Sequence, residues 1–201
     1  ATGKPLIIST GMTTLAELEE TVSAAREAGC RDLILLKCTS NYPASPADSH
    51  LNTIPHLRRL FDCEVGLSDH TRGIGVPVAS VALGATVIEK HFTLSRADGG
   101  VDAAFSLEPE EMRQLVVETE RAWQSLGTIH YGLTEKERQS LKFRRSLYVS
   151  RDIEAGETLS EDNIRIIRPG FGLAPKYMGL FVGRTASKAV KAGTPVGWDL
   201  L

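Results

Sequence analysis

His70 and His91 each follow an apolar run and close a polar triplet, Ser68-Asp69-His70 and Glu89-Lys90-His91. Imidazole nitrogen suits zinc, manganese or iron, and two such donors with open positions suit a catalytic ion better than a closed structural site. If the apolar runs are strands, period-two alternation puts Glu89 and His91 on one face and turns Lys90 to the other. The same residues also describe two satisfied histidines in a packed loop layer. Residue types alone leave both readings open.

Other groups could bind rather than react. Ser9, Thr10 and Gly11 lead into a helix start, where amides, hydroxyls and the helix dipole can hold a phosphate or carboxylate, or simply cap the helix. The segment Lys37–Asp48 carries Thr39, Ser40, Tyr42, Pro43 and Pro46 and is long for a strand-to-helix connection. Asp98-Gly99-Gly100-Val101-Asp102 is either a lid that carries Asp102 or a solvated turn. Arg168-Pro169-Gly170-Phe171-Gly172 presents one guanidinium on a rigid turn, as an anion or carbonyl contact or as plain surface.

These residues need strands that end together. Four short runs, Leu6–Ile8, Leu33–Leu36, Glu64–Leu67 and Thr86–Glu89, alternate with helical patterns. The first helix is announced by Thr14 with Glu17, a capping box, and stopped by Gly29. A second is expected from near Leu51 to Leu60, a third over Val76–Leu83, and a fourth from Pro109 to Leu126. Such alternation means parallel βαβ units. Polar residues crowd the carboxyl end of every strand, as on the catalytic face of a (β/α)8 barrel. A doubly wound sheet would gather them at one switch point. The expected fold is therefore α/β, half of a TIM barrel over residues 1–127.

Residues 128–145 read as a charged linker. Beyond it, Ser146–Val149, Ile164–Ile167 and Thr185–Val190 are β-rich runs between glycine turns, so 146–201 reads as a small β domain. Within it, Ile153–Thr158 faintly repeats in Val190–Pro195. A net charge of −2 argues against a nucleic-acid footprint, and the apolar runs are too short to span a bilayer. Three cysteines without a CxxC pair fit a reducing cytoplasm.

Taken together, STGM (Ser9–Met12), KCTSNYP (Lys37–Pro43), GLSDHT (Gly66–Thr71), IEKHFT (Ile88–Thr93), SLEP (Ser106–Pro109) and RPGFG (Arg168–Gly172) resemble the nonulosonate synthases, the sialic-acid-type family. The resemblance implies the C-terminal part of such an enzyme: barrel strands five to eight, then an SAF (antifreeze-like, β-clip) domain. Family members condense phosphoenolpyruvate with an N-acylated amino sugar and release phosphate. By resemblance, His70 and His91 hold a divalent metal, usually manganese, with magnesium or cobalt as alternatives. Glu89 and Asp102 match acidic positions near the substrate. Ser9, Thr10, Thr39, Ser40, Tyr42 and Ser68 match its lining. Arg168 resembles an arginine that the SAF domain of one subunit inserts into its partner's site, which implies a homodimer. GGVDAAFSLEP (Gly99–Pro109) and Lys37 resemble the pseudaminate branch. Ala1 then falls inside a longer protein, and the 201-residue chain is expected to be inactive alone and prone to self-association. Two other readings are a different phosphoenolpyruvate-using barrel, which the tail argues against, and a carbohydrate-binding module supported by an inert half barrel.

Overall fold

In a computed structural model, which describes residues 3–201, the four apolar runs form one sheet. Its strands are β1 (Leu6–Ser9), β2 (Leu33–Cys38), β3 (Glu64–Asp69) and β4 (Ile88–Lys90). They lie in the order β1-β2-β3-β4 and every neighbouring pair is parallel. The helices α1 (Leu15–Glu27), α2 (Thr53–Phe61) and α3 (Gly75–Ala82) make the crossovers, and α4 (Pro109–Leu126) follows β4. This is the strand and helix order of half a (β/α)8 barrel.

Local chemistry explains the boundaries. The Glu17 amide donates to Thr14 Oγ1 and the Thr14 amide to Glu17 Oε2, so two orphan donors at the start of α1 are satisfied. Pro55 sits in the first turn of α2, where its missing N–H costs little. Helix α4 begins at Pro109 with Glu108 as cap, and Glu111 accepts from the Glu108 amide at 2.9 Å.

Alternation then sorts the sheet into two faces. On one face, Leu33 and Leu35 of β2 and Val65 of β3 pack with Leu18, Ile54 and Phe61 of the helices. The other face carries Leu36, Cys38, Gly66, Ser68 and Glu89, and would line a barrel lumen. Gly66 has no room for a side chain there: an added Cβ would stand 2.2 Å from the Val87 carbonyl oxygen. That oxygen accepts from the Leu67 amide at 2.9 Å, so the glycine lets β4 approach β3.

A second compact unit runs from Ile129 to Leu201. The segment expected as a charged linker forms α5 (Glu135–Arg138), capped by Thr134, and a 3-10 turn over Gln139–Phe143. Strands β5 (Ser146–Val149) and β6 (Ile164–Ile167) pair antiparallel, as expected. The expected strand Thr185–Val190 is not one: it makes isolated bridges, Thr158 with Thr185 and Ile153 with Val190. The faint repeat explains this. Ile153 and Val190 exchange both backbone hydrogen bonds at 2.9 Å, and each segment then turns at a positive-φ glycine, Gly156 or Gly193. Two corners joined at one pair leave no length for a ladder. Leu147, Ile153, Leu159 and Phe181 fill the centre.

Among the described residues no helix is long and apolar enough to cross a membrane. Replacing Gly66 with alanine should force β3 and β4 apart, at a cost of about 1–3 kcal/mol by overpacking. Hydrogen exchange checks this: the Leu67 amide should lose protection while Leu147, in the other unit, keeps it.

Candidate active site

His70 and His91 stand one residue beyond the last rung of the β3–β4 ladder, Asp69 opposite Lys90. Their ring centroids are 5.1 Å apart. His70 is buried, and its Nδ1 lies 2.9 Å from the Thr39 carbonyl oxygen. A carbonyl only accepts, so Nδ1 carries the proton and Nε2 keeps a lone pair for a ligand. His91 Nδ1 lies 3.6 Å from Asp102 Oδ2, an ion pair only when the ring is protonated. Among the described residues no group of three or more His, Cys, Asp or Glu could hold a metal. Two imidazoles alone would leave most positions of a bound ion to substrate or water.

Beside the histidines, the buried Ser68 hydroxyl donates to Glu89 Oε1 at 2.7 Å, aiming that carboxylate along the lumen face. Tyr42 lies over the pair, 4.3 Å from the His70 ring and 5.9 Å from the His91 ring. Ser9 ends β1 on the same face, because its neighbour Ile8 packs into the helix side. Ser40 nestles against Gly11, where an added Cβ would meet its Oγ at 2.1 Å, and Cys38 Sγ is 3.8 Å from the same oxygen.

Two expected binding residues spend their hydroxyls elsewhere. Thr10 Oγ1 donates to the Leu36 carbonyl at 3.0 Å and ties β1 to β2. Thr39 Oγ1 donates to the Asp48 carbonyl and accepts from Lys37 Nζ, closing the base of the long loop. Its carbonyl is what reaches the site, through His70. Thr10, Lys37 and His56 instead line a cavity of about 360 Å³. Half-burial holds the Lys37 ammonium below its ordinary pKa.

Two contributors escaped sequence reasoning. Phe105 is buried with its ring 5.1 Å from His91, restricting that imidazole. Arg96 organises the segment that carries Asp102: its Nε donates to the Ser106 carbonyl at 3.0 Å and it pairs with Glu108 and Glu111. Ser106 Oγ in turn donates to the Asp102 carbonyl at 2.8 Å. The only sequence signal was that both lie within the segment joining His91 to α4.

In the second unit, Arg168 is exposed and forms no ion pair among the described residues. Ser146 Oγ donates to the Pro169 carbonyl at 2.7 Å and accepts from the Gly172 amide, fixing the loop that carries it.

A model of the NeuB family matches residues 1–131, and one of the SAF domain matches 144–201. A protein from Campylobacter jejuni named pseudaminic acid synthase is 44% identical over 190 residues, covering 94% of this chain and 55% of that protein. One from Legionella pneumophila named N,N'-diacetyllegionaminic acid synthase is 40% identical over 200 residues, covering 97% and 56%. The chain thus spans little more than half the length of these relatives. Among solved structures, spore coat polysaccharide biosynthesis protein SpsE of Bacillus subtilis superposes with a TM-score of 0.60 at 31% identity, over 99% of this chain and 62% of that one.

The Arg96 pairs are more than one-third exposed, so each is worth at most about 1 kcal/mol. Arg96→Gln should barely lower the melting midpoint while speeding hydrogen exchange and proteolytic cutting across residues 97–105. An unchanged segment would assign its order to other contacts.

Proposed function

The chain belongs to the NeuB family, and from that premise we propose that it supplies the metal and acid–base side of a nonulosonate synthase. The reaction is condensation of phosphoenolpyruvate with the open-chain form of an N-acylated amino sugar. The observation that carries the reading is the His70–His91 pair, set on adjacent strand ends beside Ser68-aimed Glu89 and close to Asp102. The names of the relatives support a pseudaminate- or legionaminate-type product, and the higher identity to the former, with the GGVDAAFSLEP run, favours a 2,4-diacetamido-trideoxyhexose over N-acetylmannosamine.

In this reaction C3 of the enol forms a bond to the sugar aldehyde carbon, and the aldehyde oxygen takes up a proton. Water adds to C2, and the C2–O bond to phosphate breaks, leaving a 2-keto acid and inorganic phosphate. A divalent ion, manganese by preference, would be held by Nε2 of His70 and by His91 and would supply Lewis acidity at the aldehyde. The chain's own residues do the rest. Thr39 fixes the His70 tautomer. Glu89, held by Ser68, is an acceptor for a proton of the attacking water or for a sugar hydroxyl. Asp102, with Oδ2 3.6 Å from His91 Nδ1, is the second proton-handling group. Tyr42 and Phe105 wall the imidazoles and reduce water access. Ser9 and Ser40 offer hydroxyls to the phosphate or carboxylate. In a homodimer, the exposed Arg168 would serve the partner's site at the N-acyl group. These steps belong in the cytoplasm, where phosphoenolpyruvate is made.

Phosphate release tests the reading, on native protein purified from its source with manganese, phosphoenolpyruvate and the two sugars offered separately. Turnover of one sugar is expected, falling roughly a hundredfold or more in His70→Ala or His91→Ala through lost Lewis-acid stabilisation. A folded, metal-loaded protein that turns over neither sugar would overturn it. The 201-residue chain by itself should release no phosphate, because four strands leave the barrel mouth open on two sides.

A further inference from the structure

Behind the two histidines, on the helix side of the sheet, lies an ion pair that the chemistry above does not use. Lys90 Nζ stands 2.5 Å from Asp69 Oδ2, and both side chains are 2% exposed. Lys90 also donates to the Thr71 carbonyl. Asp69 accepts from the Thr71 amide and from Thr71 Oγ1, each at 3.1 Å, and Thr71 is fully buried. We propose that this Asp69–Lys90–Thr71 cluster is a clamp that sets the spacing and orientation of His70 and His91, making the three positioning residues for the site. The inference rests on the reading of that histidine pair as the reactive centre.

Three observations carry it. First, Asp69 precedes His70 and Lys90 precedes His91, and the two form the last rung of the β3–β4 ladder. Second, beyond that rung the strands part. The His70 carbonyl accepts from Ala44 and the His91 carbonyl from Leu107, so each backbone follows a different loop. The clamp is the final cross-strand side-chain link before the imidazoles. Third, a dry ion pair is a poor way to add stability. Desolvation offsets much of the attraction, and apolar residues of similar volume often do as well. What such a pair adds is a defined geometry: the ammonium meets two acceptors and the carboxylate three donors, which fixes both strand ends against sliding or splaying. On the lumen face, Ser68 and Glu89 make the matching link one rung earlier.

The test is Asp69→Leu combined with Lys90→Met, which removes both charges and leaves none unpaired. Folding is followed by circular dichroism, and ring-to-ring proton contacts between His70 and His91 by NMR in metal-free protein. Manganese uptake is followed by electron paramagnetic resonance. The clamp predicts a folded double variant in which the inter-ring contact is lost and the manganese Kd rises at least tenfold. Unchanged inter-ring contact and affinity in a folded double variant would overturn it. Thr71→Val, which removes one hydrogen bond and keeps both charges, decides in the same way if the double variant does not fold. A parent chain that shows the inter-ring contact but takes up no manganese would overturn the metal reading. Loss of that contact in the variants would still sustain the clamp.

Discussion

A slip of β4 by one residue against β3 would turn Glu89 and His91 to the helix side and bring Lys90 into the lumen, because side chains alternate with a period of two. The candidate site therefore depends on one register, Leu67 opposite Ile88, Ser68 opposite Glu89 and Asp69 opposite Lys90. Backbone alone holds a three-residue strand weakly, and β4 is only Ile88–Lys90. The molecule adds a glycine that admits close approach, Gly66, and one polar link on each face. On the lumen face that link aims a carboxylate. On the helix face it joins a lysine to an aspartate that a slip would leave buried without its partner, at several kcal/mol. Register and chemistry are thus secured by the same two strands.

The flanks of the sheet are organised differently. Leu6 and Ile7 of the edge strand β1 are exposed. At the other edge, Ile88, Met112, Leu115 and Trp123 line an apolar groove of about 750 Å³. The interior pair β2 and β3, by contrast, is almost wholly buried. Burial and candidate site thus concentrate in the same place, since His70, whose Nδ1 is held on the Thr39 carbonyl, leaves the better-buried strand.

Much of this was legible in the sequence. Strand runs, helix caps and polar strand ends located His70, His91, Glu89 and Ser68 on their elements, because those signals are local and periodic. Alternation turned Lys90 away from the lumen. It could not say toward what, since Asp69 is 21 residues distant. The same limit hid Phe105, Arg96 and the backbone partners that occupy the hydroxyls of Thr10 and Thr39. A threonine at a strand end looks the same whether it faces a ligand or a carbonyl. In the small β unit, composition suggested a third strand where the chain makes two separate bridges, because β-propensity reports a fit to a half-buried surface rather than ladder length.

That unit shows how glycines can serve one outward side chain. A Cβ on Gly170 would meet the Leu141 carbonyl oxygen at 2.5 Å, and one on Gly172 the Leu147 carbonyl at 2.2 Å. Gly170 lets the loop lie against the turn that precedes β5 and Gly172 lets it lie against β5 itself, where Ser146 bonds it from beneath. With the backbone pressed inward, Arg168 and Phe171 are what the loop turns to solvent. A guanidinium on a loop held this way has little backbone freedom left, so binding an anionic or carbonyl group there would cost less ordering entropy than on a free loop.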